Sequence, residues 1–167
     1  SWNGYKVARV YAALASEYFA IRSTCGVMDL TPMEKYRVSG PDALLFLNRL
    51  VTRDISGLQP NRVTYVVWCN DEGKVLDDGT IFNLDGGHYR LCSQHHQLDW
   101  LLISSLGFDV TIEEETHSIA ALAIQGPTSY SVLSAAGIND LDQLKPFGIL
   151  NFSVIGIEYM VARSGFT

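Results

Sequence analysis

The stretch that most constrains the fold is Gly73-Lys74-Val75-Leu76-Asp77-Asp78-Gly79-Thr80-Ile81-Phe82, where two adjacent carboxylates stand inside a run that otherwise has the character of a β-strand. Successive side chains of a strand leave opposite faces, so one of Asp77 and Asp78 is aimed toward whatever Val75, Leu76, Ile81 and Phe82 pack against. A carboxylate buried without a partner is costly, so that acid has to meet a cation, accept hydrogen bonds or line a cavity that a ligand fills. Spacing alone leaves a commoner arrangement open, in which both acids lie where the strand leaves the sheet for solvent.

Around this stretch the pattern alternates between short strands and short helices. Apolar residues at Val7, Val10, Tyr11, Leu14, Tyr18 and Ile21 predict an amphipathic helix over 6–22, closed by Cys25-Gly26. Glu34 to Val38 is a strand, and Ser39-Gly40-Pro41-Asp42-Ala43 leads from it into a helix carrying Leu44, Leu45, Leu47 and Leu50. Arg62–Cys69 and Lys74–Asp77 form a first hairpin around Asn70-Asp71-Glu72-Gly73; Thr80–Leu84 and Tyr89–Cys92 form a second around Asp85-Gly86-Gly87. A helix over 94–106, a strand over 108–113, a buried strand over 119–124 and a helix from Gly126 to Ala136 follow. Phe152–Ile155 and Ile157–Ala162 are strands separated by Gly156. The expected class is α+β, with antiparallel sheets and flanking helices. Gly-Pro recurs at a strand-to-helix turn at 40–41 and at 126–127, which suggests an internal repeat, although turn chemistry alone selects the same residues.

Bulk properties exclude several functions. With 167 residues, 47% of them hydrophobic, the chain is long enough to bury a core in one domain or two interlocked lobes. A net charge of −6 and scattered basic residues argue against nucleic acid as a partner. No apolar run approaches bilayer length and the first residues lack a signal-peptide core, so a cytosolic protein with no membrane contact is expected. Cys25, Cys69 and Cys92 and the four histidines have neither disulfide nor zinc spacing. The adjacent pair His95-His96 is expected at a helix start or a pocket rim, with no metal assigned. The chain has no initiator Met and stops in a glycine-containing turn after a strand-like run, which suggests a portion of something longer.

The order of several pieces then carries a resemblance. Ala20-Ile21-Arg22, Gly26-Val27-Met28-Asp29-Leu30-Thr31-Pro32-Met33, Val38-Ser39-Gly40-Pro41-Asp42-Ala43, Phe46-Leu47, Asp54-Ile55, Gly73 to Asp78, Ala123 to Pro127 and Ser164-Gly165-Phe166-Thr167 together resemble the T-protein of the glycine cleavage system, a tetrahydrofolate-dependent aminomethyltransferase. The resemblance implies a three-lobed α+β protein around a folate cavity, of which this chain matches the first two lobes. The C-terminal barrel and a Gly-Glu segment after Thr167 would be missing, leaving the isolated chain inactive or feeble. It also implies that Asp78 is the catalytic carboxylate. Asp77 is its structural neighbour at the folate site, capping or hydrogen-bonding the turn, and Met33, Thr64, Tyr65, Ser93 and Gln94 fall where relatives line the folate cavity. Core packing is the other reading of Met33 and Tyr65. Methylene transfer requires a folate amine to attack an iminium-like carbon, and a fixed anion would stabilise the developing charge.

Three departures surround the substrate end: Pro32 where relatives carry His, Gly79 where they carry Leu, and Gln94 where Asn is common. They leave folate as the expected cofactor and put the donor in question. The first expectation is aminomethyl transfer from a lipoyl-bearing H-protein. A second is a demethylase, or the folate lobe of a sarcosine or dimethylglycine dehydrogenase. A third, a non-enzymatic folate protein assisting iron-sulfur proteins, is expected to lack the acid pair that this chain keeps.

Overall fold

The computed structural model describes residues 1–165. The chain divides into two compact units, one formed by Met33–Ser118 and the other by Ser1–Pro32 with Ile119–Thr167. The motif at Ser164 to Thr167 lies partly outside the described residues.

In the Met33–Ser118 unit, strands β2 (Glu34–Ser39), β3 (Arg62–Cys69), β4 (Val75–Asp85), β5 (His88–Ser93) and β6 (Thr111–Glu114) form one antiparallel sheet in the order β3-β4-β5-β2-β6. One face carries Tyr36, Val38, Val66, Trp68, Ile81 and Leu91, which pack with Phe46 and Leu47 of α2 (Ala43–Leu50) and Leu101 of α3 (Leu98–Ser104). Residues two apart on one strand share a face, as do residues paired across strands, so the alternating apolar pattern builds the sheet's side of the core. Burial pushes the phenols of Tyr36 and Tyr89 above their ordinary ionisation range.

The two expected hairpins share a single strand. Lys74–Asp77 and Thr80–Leu84 are expected as separate strands, but β4 runs unbroken through Asp77, Asp78 and Gly79. Gly79 pairs with Val66 on one side and Ser93 on the other, and a Cβ there would collide with the Cys92 carbonyl oxygen. Glycine therefore continues this strand by letting its neighbour approach. The helix expected from Gln94 starts only at Leu98, because the N–H groups ahead of it have tertiary acceptors: His95 donates to Asp77 and Gln97 to the Tyr36 phenol. The strand expected over 108–113 starts three residues later and ends one residue later, as Thr111–Glu114.

The other unit holds α1 (Leu14–Ser23), β1 (Gly26–Asp29), β7 (Leu122–Gln125), α4 (Ser129–Ala135), β8 (Ile149–Val154) and β9 (Ile157–Ala162), with β1 pairing β7 and β8 pairing β9. The helix expected over 6–22 begins eight residues later. The Glu17 carboxylate accepts the N–H groups of Tyr11 and Ala12, at 2.6 and 2.7 Å, and fixes the preceding segment in a non-helical course. Its end also differs: Thr24 caps it and Gly26 already belongs to β1. Expected as buried over 119–124, β7 is a four-residue strand with only Ala123 buried, because it has a single partner strand. Both Gly-Pro turns share a geometry: Gly40 and Gly126 have φ of 118° and 131°, and the N-cap residues Asp42 and Thr128 both have ψ of 11°. Neither helix receives a side-chain cap there; the Asp42 carboxylate accepts the Asp109 N–H instead.

Candidate functional site

The sheet register gathers most of the expected site residues at one end of the central strands. Ser93 pairs with Gly79 on one side and with Glu34 on the other, so Asp77 and Asp78, which precede Gly79, and Gln94, which follows Ser93, lie at the same end as Met33. Asp78 pairs with Val67 and Tyr65 with Thr80, which places Tyr65 diagonally across from Asp78 on one face.

The two acids occupy opposite environments. Asp77 is the inward one, 6% exposed. Its Oδ1 accepts the Asp78 N–H at 2.9 Å and its Oδ2 accepts the His95 N–H at 3.0 Å, with the His95 Nδ1 3.4 Å from the same oxygen. Its charge is thus met by backbone donors, and it ties the turn after β5 to the peptide that carries Asp78. Asp78 is exposed, so the acid that the resemblance gives as catalytic is not the inward-facing one of the pair. The physical reason is strand alternation: Asp77 pairs with Trp68 on the packed face, so Asp78 must emerge on the other.

Asp78 is nevertheless held. The Tyr65 hydroxyl donates to its Oδ2 at 2.8 Å, and that bond raises the phenol's pKa. Asp78 Oδ1 accepts no hydrogen bond among the described residues, which leaves an oriented, solvent-facing acceptor. Ser93 is buried and its hydroxyl donates to the His95 carbonyl at 2.9 Å, so it shapes the turn. Gln94 is exposed at the tip of that turn. Met33 is half-buried, and its carbonyl accepts the ammonium of buried Lys35 at 2.9 Å. Lys35 stands opposite Cys92, whose thiol is pushed up to about 11 by burial.

Thr64 leaves β3 on the face opposite Tyr65, the face of Asp77 and Ser93, but it stands opposite Ile81, farther along the sheet, and lines a concavity of about 200 Å³ with Arg53, Asp54, Ile55, Gly57 and Leu58. Sequence reasoning missed the part played by His95, because a backbone N–H that meets a distant carboxylate leaves no mark on residue type.

The class is α+β, with an oriented carboxylate-phenol pair at the open end of an antiparallel sheet. Comparison narrows that class: the model of the GCVT N-terminal domain matches residues 1–167. The chain belongs to this family. It is 32% identical to the aminomethyltransferase of Lysinibacillus sphaericus over 99% of its own length and 47% of that protein, and 32% identical to that of Bacillus subtilis with the same coverage. Among solved structures, it is similar to the glycine cleavage system aminomethyltransferase T from Bartonella henselae, with a TM-score of 0.75 and 26% identity over 91% of this chain and 42% of that one. The chain spans about half the length of the curated relatives it matches. Among the described residues no helix is long and apolar enough to cross a membrane.

Proposed function

We propose that the protein of which this chain forms the family's N-terminal region catalyses tetrahydrofolate-dependent transfer of an aminomethyl carbon, with Asp78 as the catalytic carboxylate. The observation that carries this reading is the open Asp78 Oδ1, beside an Oδ2 fixed by Tyr65. That fixed acceptor fits a reduced pterin, whose ring and amine N–H groups need an anchored acceptor. Tetrahydrofolate, when bound, supplies the amine that takes up the one-carbon unit.

The chain's own residues then have distinct tasks. Asp78 offers a full negative charge to the positive charge that develops at the transferred carbon. Tyr65 holds one carboxylate oxygen and so sets the direction of the other. Asp77 fixes the peptide beneath Asp78 and the turn through Ser93 and Gln94 with one buried carboxylate. Positioning of this kind requires no rearrangement of the acid when a ligand arrives. A lipoyl-bearing carrier protein is the proposed aminomethyl donor.

One observation favours a second reading, in which a methyl group is taken from a different small donor. Next to the acid, the backbone at Gly79 has no room for a side chain, because the Cys92 carbonyl oxygen fills it. The leucine common in T-proteins does not fit on this backbone.

The test uses the full-length protein. Asp78→Asn is expected to lower one-carbon transfer by roughly 100-fold or more while leaving the circular dichroism spectrum and the unfolding midpoint unchanged. Assays with aminomethylated carrier, sarcosine and dimethylglycine as donors separate the two readings. Full turnover by Asp78→Asn with every donor would remove Asp78 from the chemistry.

A further inference from the structure

The face that carries the packed core ends in a second cluster. Glu34 is the first residue of β2 and Glu114 the last of β6; Glu114 pairs with Tyr36, so Glu34, Tyr36 and Glu114 emerge on one face. His96, in the segment between β5 and α3, brings its ring edge-on to Tyr36 with centroids 6.3 Å apart. One ligand atom from each of Glu34, His96 and Glu114 lies within 4.8 Å of the other two. We propose that these three side chains bind one divalent first-row transition-metal ion of the zinc type.

The first argument is construction. The Glu34 side chain is 6% exposed and its Oε2 accepts the Thr116 hydroxyl at 2.9 Å; the Tyr36 phenol also hydrogen-bonds Glu34. Thr116 is itself fixed, since its Oγ1 accepts the Lys35 N–H at 3.1 Å. Outer hydrogen bonds of this kind orient a carboxylate that ligates a metal. His96 and Glu114 are exposed and can close the remaining distance, because ligands of a tetrahedral zinc stand roughly 3.3 Å apart at bond lengths near 2 Å.

The second argument is charge. The cluster holds two carboxylates, one buried, and among the described residues neither forms an ion pair with a lysine or arginine. Among the described residues, the basic group within 4 Å of Glu34 Oε2 is the His96 imidazole, its Nδ1 at 3.5 Å. Glu115, the next residue along, shows the contrast, because Arg37 and Arg90 each approach it to 2.8 Å. A buried carboxylate beside a like charge is costly until a cation joins them. One nitrogen and two oxygen donors, with water completing the shell, suit an ion that accepts imidazole; calcium and magnesium favour oxygen alone. Bound metal would staple β2 and β6 to the segment that leads out of the Asp77-held turn.

The experiment is a Zn2+ titration of the purified chain against a chromophoric chelator, with thermal unfolding read in parallel. One equivalent of Zn2+ is expected to be withdrawn from the chelator and to raise the unfolding midpoint. His96→Ala and Glu114→Gln change exposed side chains, keep the native circular dichroism spectrum and each weaken binding by about 10- to 100-fold. His88→Ala, which changes an exposed histidine at the start of β5, leaves the affinity unchanged. The proposal is overturned if wild-type chain leaves all the zinc with the chelator, if His96→Ala or Glu114→Gln binds as wild type does, or if His88→Ala weakens binding equally.

Discussion

The two units of this chain use similar apolar patterns to opposite effect. In Met33–Ser118, Trp68, Tyr36, Phe46, Leu47, Ile81, Leu91 and Leu101 are all buried to within 2% of completely. In the other unit, α1 and α4 contain no buried residue, and Leu14, Tyr18 and Phe19 of α1 are each more than half exposed. The helices of the first unit have a five-stranded sheet to lie on; the second unit has only two-stranded pairs, which offer little area. Periodicity states which side chains share a face. Whether anything covers that face depends on how many strands stand opposite it.

The widest expected contrast comes from matched truncations. Leu101→Ala removes a side chain with no exposed surface and is expected to cost about 3 kcal/mol, whereas Phe19→Ala, at 63% exposure, is expected to stay within about 0.5 kcal/mol. Urea unfolding followed by tryptophan fluorescence reads the first unit through buried Trp68. Equal losses from the two variants would mean that the exposed face of α1 is packed in solution, and the contrast would collapse.

The same contrast explains what was legible in advance. The antiparallel α+β class, the Gly-Pro turns, the β2–α2 step and both hairpin turns could be read from local chemistry, because each rests on residues adjacent in the chain. The starts of α1 and α3 could not. Each is set by a side chain capturing N–H groups outside the helix, Glu17 in one case, Asp77 with Tyr36 in the other. Of the candidate site, the strand pairing brings Asp77, Asp78, Ser93 and Gln94 to one end, sets Tyr65 beside Asp78, and leaves Thr64 farther along the face that carries Asp77. The alternation that separates Thr64 from Tyr65 was available from the sequence, but which face the acid would take was not, since that depends on Trp68 standing opposite Asp77. Glu34, His96 and Glu114 were invisible as a set, because they come from three segments that only the sheet order brings together.

Asp77 tests the middle of the range, where a polar residue does the work of core. Asp77→Ala strips acceptors from the N–H groups of Asp78 and His95, and is expected to cost about 2 kcal/mol. Its second readout is local: amide exchange over residues 93–97 should accelerate, while the core of β5 remains protected until global unfolding. Unchanged exchange in that turn would show that Ser93 and the Tyr36 phenol hold it without Asp77.

The smallest effect lies in the sparsely packed unit and has the opposite sign. The β8–β9 hairpin closes with Val154 paired to Ile157 across Ile155 and Gly156, whose φ values are 51° and 76°. A two-residue turn with both φ positive favours Asn-Gly, and a β-branched residue in the left-handed region bears a penalty of about 1 to 2 kcal/mol. Ile155 is 97% exposed, so no contact within the chain offsets that strain. Ile155→Asn is therefore expected to stabilise the hairpin by about 1 kcal/mol, seen as roughly fivefold slower amide exchange in β8 and β9. The full-length protein turns this into a sharper question. If the substitution stabilises the hairpin there too, the strain is an unselected remnant at a bare turn; if it destabilises, the isoleucine is covered by a surface outside this chain, and the strain is the cost of presenting it.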